Sequence, residues 1–494
     1  MVLRRKVDGG WIKRLLVVVL VGILVFDLYE YFFPSAPRLA PLPELTLPSG
    51  GSVVVVAPHS DDEILGAGGL VKRALEAHNQ VTVVLVTNGD GFTIATERWF
   101  RHLRPSPADY ENLGYVRQQE STKALGIMGL SPEQIIFLGY PDRGVSQLWD
   151  NHWADNHPYL SRYTRSTRSP YRNGLHRGTV YAGESLLRDL TEVLRDKKPD
   201  LVVYPHPNDA HVDHWATYNF VAYALDELRR EGVPWADHTR EWLYLVHRGD
   251  WPTPKGLRPH ASLLPPPALL TPLTNWGSLP LDPATVAQKE RAILAYKSQI
   301  TVLRRFLVSF ARQNELFGEV GHPTAVAVPP GRITVDGQIG DWAGIEPVLN
   351  DPAKDTIIRE MEAGGDLLQL FAARDPDRLY LRLDVRGSVP AFVTYLIRLR
   401  PLAARGAARP LDLLAEIPGP TLRLREANQV SGGWAPPPPG MAVAFADRTL
   451  ELSLPLELLG RPEEVFVGVE SWFTRVQIDR MAWRPIILPR LAGQ

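Results

Sequence analysis

Apolar and polar positions divide the chain into three regimes. Residues 15–26 are apolar throughout apart from Gly22; Asp27 and Glu30 interrupt the run, and Tyr29, Tyr31, Phe32 and Phe33 extend it. A helix over 11–33 would be about 34 Å long, enough to cross a bilayer. Residues 34–49, rich in Pro, Leu and Ala, read as an extended linker. From residue 50 the pattern changes. Short apolar runs over 52–57, 80–87, 135–138, 201–204 and 242–247 read as buried strands, and helical spacing recurs over 63–77, 111–125, 184–196, 213–230 and 284–316. Strands alternating with helices predict parallel βαβ units and a Rossmann-like layered α/β sheet over 50–322. A long polar and aromatic insertion spans 140–180. Beyond residue 330 the runs become short, alternating and turn-bounded (368–372, 379–385, 391–398, 442–445, 450–454, 465–471), which predicts an antiparallel β-sandwich over 330–490.

Composition narrows the classes. The chain has 494 residues, no cysteine, and 54 basic against 55 acidic residues, a formal net charge of −1. Near-neutral charge argues against nucleic acid as a partner. Without cysteine, any metal must be held by His and carboxylate. Arg4, Arg5, Lys6, Lys13 and Arg14 flank the first apolar run. That flank predicts a single-pass cell-membrane protein with a cytoplasmic N-terminus and an extracytoplasmic catalytic domain. A cleaved signal peptide is the competing reading.

Chemistry concentrates at two strand ends. The first predicted strand runs into Pro58-His59-Ser60-Asp61-Asp62-Glu63, and the fourth into Pro205-His206-Pro207-Asn208-Asp209-Ala210-His211-Val212-Asp213-His214. In an open parallel sheet, ligands bind at that edge. His59 and Asp62 are a ligand pair suited to zinc or a similar divalent metal, and His214 could complete the set. A second carboxylate, Asp61, suits a general base. Each stretch also reads as a helix cap, with Ser60, Asp61 or Asp213 as the capping residue. Gly66, Gly68 and Gly69 do not have dinucleotide-fingerprint spacing, so close helix–sheet packing is the preferred reason for them.

The two clusters resemble the signature pair of the PIG-L (LmbE-like) family of zinc-dependent de-N-acetylases. The family's first motif is Ala-His-Pro-Asp-Asp-Glu; here the Ala and Pro differ, and the His and three acids match. Its second motif, Asp-x-His-x-Asp-His, matches at Asp209, His211, Asp213 and His214. Asn88-Gly89-Asp90, Arg117-x-x-Glu120, Gly139-x-x-Asp142, Lys289 and Ser298-Gln299 also look like family positions. The resemblance implies that His59, Asp62 and His214 hold Zn2+, or another divalent metal such as Fe2+, with Asp61 as general base. It makes His211 an acid or electrostatic stabiliser, and Arg117 and Asp142 contacts for sugar hydroxyls. Asp213, two residues from His211, is expected to orient a His and raise its pKa.

Residues 330–490 resemble a carbohydrate-binding module family 9-like sandwich through Val335-Asp336-Gly337, Asp341-Trp342, Asp377 to Leu381 and Leu450 to Gly460. The expected protein is therefore a membrane-tethered hydrolase of linear amides, an N-deacetylase. It acts on an N-acetylglucosamine-type sugar in an extracytoplasmic glycan or glycolipid. A metal-dependent amidase for another N-acyl group, and a non-catalytic glycan-binding protein, are the alternatives.

Overall fold

The computed structural model describes residues 41–249, 251–353, 363–390, 392–402, 411–416, 421–426 and 433–490. Pro43–Gln494 fall in one compact unit. In this unit the chain order is β1 (Ser52–Ala57), α1 (Asp62–Glu76), β2 (Gln80–Thr87), α2 (Thr93–Phe100), α3 (Pro107–Met128), β3 (Ile135–Tyr140) and α4 (Val145–Asp150). Then come α5 (Gly183–Lys197), β4 (Leu201–Pro205), α6 (Val212–Arg230), β5 (Arg240–Tyr244), β6 (Thr274–Pro280), α7 (Pro283–Ile293), α8 (Lys297–Leu307) and β7 (Asn314–Val320).

These seven strands form one sheet in the order β3-β2-β1-β4-β5-β7-β6. β1 to β5 are parallel; β7 and β6 close one edge antiparallel. Val53 to Val56 are at most 1% exposed, as expected for a strand covered on both faces. Chain order reverses direction across the β1–β4 pair, so the two motif-bearing strands are neighbours at the topological switch point.

Local chemistry explains the helix boundaries. Ser106 and Asp109 form a capping box with Pro107 at the first helical position, and Gly129 ends α3 at φ 101°. That start lies before the expected 111. Gly66 and Gly69 have the packing role expected of them. A Cβ at Gly66 would stand 2.4 Å from the Tyr244 ring, and one at Gly69 2.5 Å from Leu281. The single helix expected over 284–316 is instead α7, α8 and β7. The chain turns at Tyr296 (φ −75°, ψ 69°), whose hydroxyl donates to Glu63, and Ser298 then binds Glu120 through N and Oγ (2.8 and 2.6 Å).

The second half contains β8 (Val326–Ala327), β9 (Leu349–Asn350), β10 (Leu367–Arg374), β11 (Arg378–Val385), β12 (Val393–Leu402), β13 (Leu411–Glu416) and β14 (Thr421–Glu426). β15 (Ala442–Ala446), β16 (Thr449–Pro455), β17 (Glu464–Phe473) and β18 (Val476–Ile487) complete it. One sheet runs β15-β16-β11-β10-β8, with β9 on β10; the other runs β14-β13-β12-β17-β18. Leu367, Leu381, Leu399, Leu452 and Val467 fill the space between them. The α/β core does not stop at this sandwich: Leu402, Phe466 and Trp483 belong to the same apolar cluster as Trp149, Phe220 and Val221.

The membrane expectation is corrected. No helix among the described residues is long and apolar enough to cross a membrane. α3 has the length, 22 residues, but Asp109, Glu111, Arg117, Glu120 and Lys123 interrupt it, and charges in lipid are costly. The expected span 11–33 lies outside the described residues, and in sequence Asp27 and Glu30 cut its apolar run short. The transmembrane helix, the single-pass membrane location and the extracytoplasmic placement of the catalytic domain are not carried forward.

Candidate metal centre and active site

β1 ends at Ala57, and the next turn aims His59 and Asp62 at α6. His59 Nδ1 lies 3.0 Å from Asp62 Oδ2; its Nε2 lies 3.0 Å from Asp213 Oδ2 and 3.5 Å from Asp142 Oδ1. His214, fully buried on α6, places Nε2 2.9 Å from Asp62 Oδ2 and Nδ1 3.1 Å from Asp209 Oδ2. His59, Asp62 and His214 thus converge from two adjacent strand ends.

The donors fit a divalent metal. Ligand atoms of His59, His211 and His214 lie within 4.8 Å of one another, and so do those of Asp62, His214 and His247. Neighbouring ligands of a tetrahedral zinc are about 3.3 Å apart when bonds are near 2.0–2.1 Å. Asp62 Oδ1 and His214 Nε2 are buried without a well-directed hydrogen bond, as atoms reserved for an ion would be, while His214 Nδ1 faces Asp209. Without an ion, the carboxylates and histidines hold one another charged, so a metal would displace a His proton on binding. Burial alone would raise the Asp62 carboxyl, but His214 and His59 outweigh it and hold it well below the usual range. Burial would lower His214, but Asp209 and Asp62 raise it to about 9.

Asp61 occupies the α1 N-cap position without capping through its side chain. Its φ of 127° is a conformation few non-glycine residues adopt. Four groups hold it. Its N–H donates to Glu63 Oε2 (2.8 Å), and its carbonyl accepts from Ile64 and Leu65 N (3.0 and 2.9 Å). Its Oδ1 lies 3.2 Å from Arg117 Nη2. Burial raises the Asp61 carboxyl to about 8, with Arg117 opposing and Asp62 and Glu63 reinforcing. Arg117 also donates to Gly89 O (2.6 Å) and to Ser60 O, so its Nη atoms face protein. A Cβ at Gly89 (φ +64°) would stand 1.9 Å from Arg117 Nη1, which reserves that position for glycine.

His211 is the N-cap of α6. Its Nδ1 accepts from Asp213 N at 3.2 Å, which leaves Nε2 to carry the proton of the neutral ring. Burial and then His59, His214 and His247 keep His211 well below its ordinary pKa. Asp213 is fully buried and faces His59, and the N–H groups of Arg143 and Val145 hold it at 2.5 and 3.0 Å. Asp142 accepts from Gly91 N at 2.7 Å.

All eight expected residues are therefore within one buried cluster or its supporting turn. Three further participants were not expected in these positions. His247 follows β5 and stacks edge-on to His214 at 4.7 Å between ring centroids. Its position just beyond a parallel strand was the available signal. Asp209 accepts from His211, Val246 and His247 N, joining the β5 end to the second motif. Tyr296 donates to Glu63 from across the fold, a contact that no local pattern shows.

The family model described as "PIG-L: GlcNAc-PI de-N-acetylase" matches residues 54–225, the span that contains every residue of both motifs. Residues 54–225 form a PIG-L family domain. This PIG-L domain is similar to 1D-myo-inositol 2-acetamido-2-deoxy-alpha-D-glucopyranoside deacetylase of Nocardia farcinica, 30% identical over 184 residues, covering 37% of this chain and 54% of that protein. The protein of the same name from Corynebacterium diphtheriae is 28% identical over 193 residues, covering 38% and 56%. The chain thus spans about half the length of the curated relatives it matches. A solved N,N'-diacetylchitobiose deacetylase from Pyrococcus horikoshii is 19% identical and covers 54% of this chain and 82% of its own. Its TM-score of 0.34 is too low to carry an argument.

Proposed function

We propose that the PIG-L domain is a metal-dependent amide hydrolase that removes the N-acetyl group of an N-acetylglucosamine-type sugar in a glycan or glycolipid. The observation that carries this reading is the convergence of His59, Asp62 and His214, with Asp61 next in chain to Asp62 and the His211 ring 4.6 Å from that of His59. The relatives support it, since they are named as deacetylases of a 2-acetamido sugar.

His59, Asp62 and His214 would hold the ion, and zinc is the preferred occupant for nitrogen and carboxylate donors. Such an ion supplies Lewis acidity toward an amide carbonyl. The rest falls to side chains. Asp61, 3.2 Å from the Arg117 guanidinium, accepts the proton of the attacking water as a carboxylate. His211 Nε2–H, free of any backbone acceptor, donates a hydrogen bond to the developing oxyanion, and Asp61 passes the proton taken from water to the leaving nitrogen as the C–N bond breaks. Asp213 fixes the orientation of His59 through the 3.0 Å contact. Arg117 positions Asp61, and Asp142 at the site wall is the residue left for a sugar hydroxyl.

Metal content and acetate release on N-acetylglucosamine oligomers and glycolipids test the proposal, with wild type beside His214→Ala. About one zinc per chain, with acetate released by wild type alone, is expected. Metal bound without acetate on any acetylated sugar would remove the deacetylase reading.

A further inference from the structure

The sandwich reaches the active-site loop with a buried charge. Arg484, on β18, is 4% exposed. Its Nη2 donates to Asn208 Oδ1 at 2.7 Å and its Nη1 to Trp483 O at 3.0 Å; the guanidinium lies 5.8 Å from the Tyr218 ring centroid. Asn208 immediately precedes the second motif. Its N–H donates to His206 Nδ1 (3.1 Å), its carbonyl accepts from Arg248 (3.3 Å), and the next residue is Asp209, which organises His211, His214 and His247.

Arg484 is one of four sandwich arginines directed at this side of the α/β layer. Arg480 lies 4.4 Å over Trp215, the residue after His214. Arg398 and Arg400 point to the carbonyls of Trp149 and Asp150, at 3.4 to 3.5 Å, where α4 ends. A helix C-terminus favours cations. The turn into α4 and its first residue supply the Arg143 and Val145 N–H groups that hold Asp213. β12 and β18 therefore support both segments that flank Asp213. A guanidinium keeps its charge when buried, and its desolvation cost makes it weak evidence for stability. Its directed donors make it well suited to fixing a neighbour's position.

We propose that Arg484 is a positioning residue for the metal centre: through Asn208 it sets the 205–214 loop, so the sandwich is a working part of the site. The proposal rests on the metal-site reading above. Its test is zinc affinity of the full chain, by competition with a chromophoric chelator, alongside acetate release and Tm. Arg484→Gln and Asn208→Ala are each expected to weaken zinc binding 10- to 100-fold, on the order seen for outer-shell partners. Arg484→Lys, which keeps a donor, should recover part of the loss. Tyr223→Phe removes a junction hydrogen bond to Pro401 O (3.3 Å) away from the loop and should leave zinc affinity unchanged.

Zinc affinity within about twofold of wild type in both Arg484→Gln and Asn208→Ala, with Tm lowered, would overturn the proposal and leave a purely structural contact. Equal loss in Tyr223→Phe would overturn it as well. If Arg484→Gln does not fold, Asn208→Ala decides. Zinc bound by wild type without acetate release removes the deacetylase reading, while the affinity comparison still judges Arg484. A wild type that binds no zinc overturns both.

Discussion

Glu315→Gln tests how α1, and with it the first motif, is held. Lys289 Nζ lies 2.6 Å from Glu315 Oε1 and donates to Leu65 O at 2.9 Å; both residues are 0% exposed. Glu315 also accepts from Gly69 N (2.6 Å) and Leu70 N (2.7 Å). Glutamine keeps the shape but removes the charge, leaves Lys289 uncompensated and turns an amide NH2 toward donors. Breaking one side of a buried pair costs about 3–5 kcal/mol. At about 2 °C per kcal/mol for a domain of this size, Tm should fall by roughly 6–10 °C. Adding Lys289→Met should restore most of it, because an apolar replacement removes the orphaned charge. The pH dependence has a defined sign. Burial lowers Lys289 below its ordinary pKa despite Glu315, so the unfolded chain binds more protons and this group's contribution rises with pH up to about 10.5. Without Glu315 the lysine falls further, so the variant should gain stability toward pH 10 more steeply than wild type. Calorimetry from pH 7 to 10 on wild type, single and double variants is the assay. A Tm loss under 2 °C in Glu315→Gln, or a double variant no more stable than the single, would refute the reasoning.

Asp61→Asn should retain zinc by elemental analysis while acetate release drops at least about 100-fold; loss of the metal would make Asp61 a ligand instead. Gly89→Ala should lower both Tm and turnover, because its Cβ meets the Arg117 guanidinium and its φ is left-handed; unchanged values in both would contradict the packing described. At the junction, burial would lower His322, but Glu464 and Asp226 raise it to about 9. The stability it contributes is complete below about pH 6.5 and lost as pH rises through 9, so His322→Gln should flatten the Tm profile over that window. An unaltered profile would remove His322 from the junction's pH response.

The five parallel strands were legible because each is a short apolar run followed by a helical pattern, as in Val53 to Val56 before Ile64. β6 was hidden in a proline-rich passage, and β7 was read as the tail of a helix because Leu303 and Leu307 keep helical spacing. The turn at Tyr296 depends on Glu63, more than two hundred residues away, and no local window contains that contact. The site followed from one rule: parallel strands deliver their C-terminal ends to one edge. That rule brought the two motifs together and would also have reached His247. Arg117 shows where it runs out, since sequence gives a donor but not the acceptor it faces.

The backbone of Asp61 carries a consequence for engineering. A non-glycine residue at φ 127° stores about 1–3 kcal/mol of strain, which glycine would release. Asp61→Gly should therefore be sterically relaxed and chemically inert. A library ranked by heat tolerance alone would weigh that relief against the lost Arg117 contact and take no account of the proton acceptor. Selection for this chain has to score turnover and melting together, because at residue 61 backbone relief and proton transfer favour different amino acids.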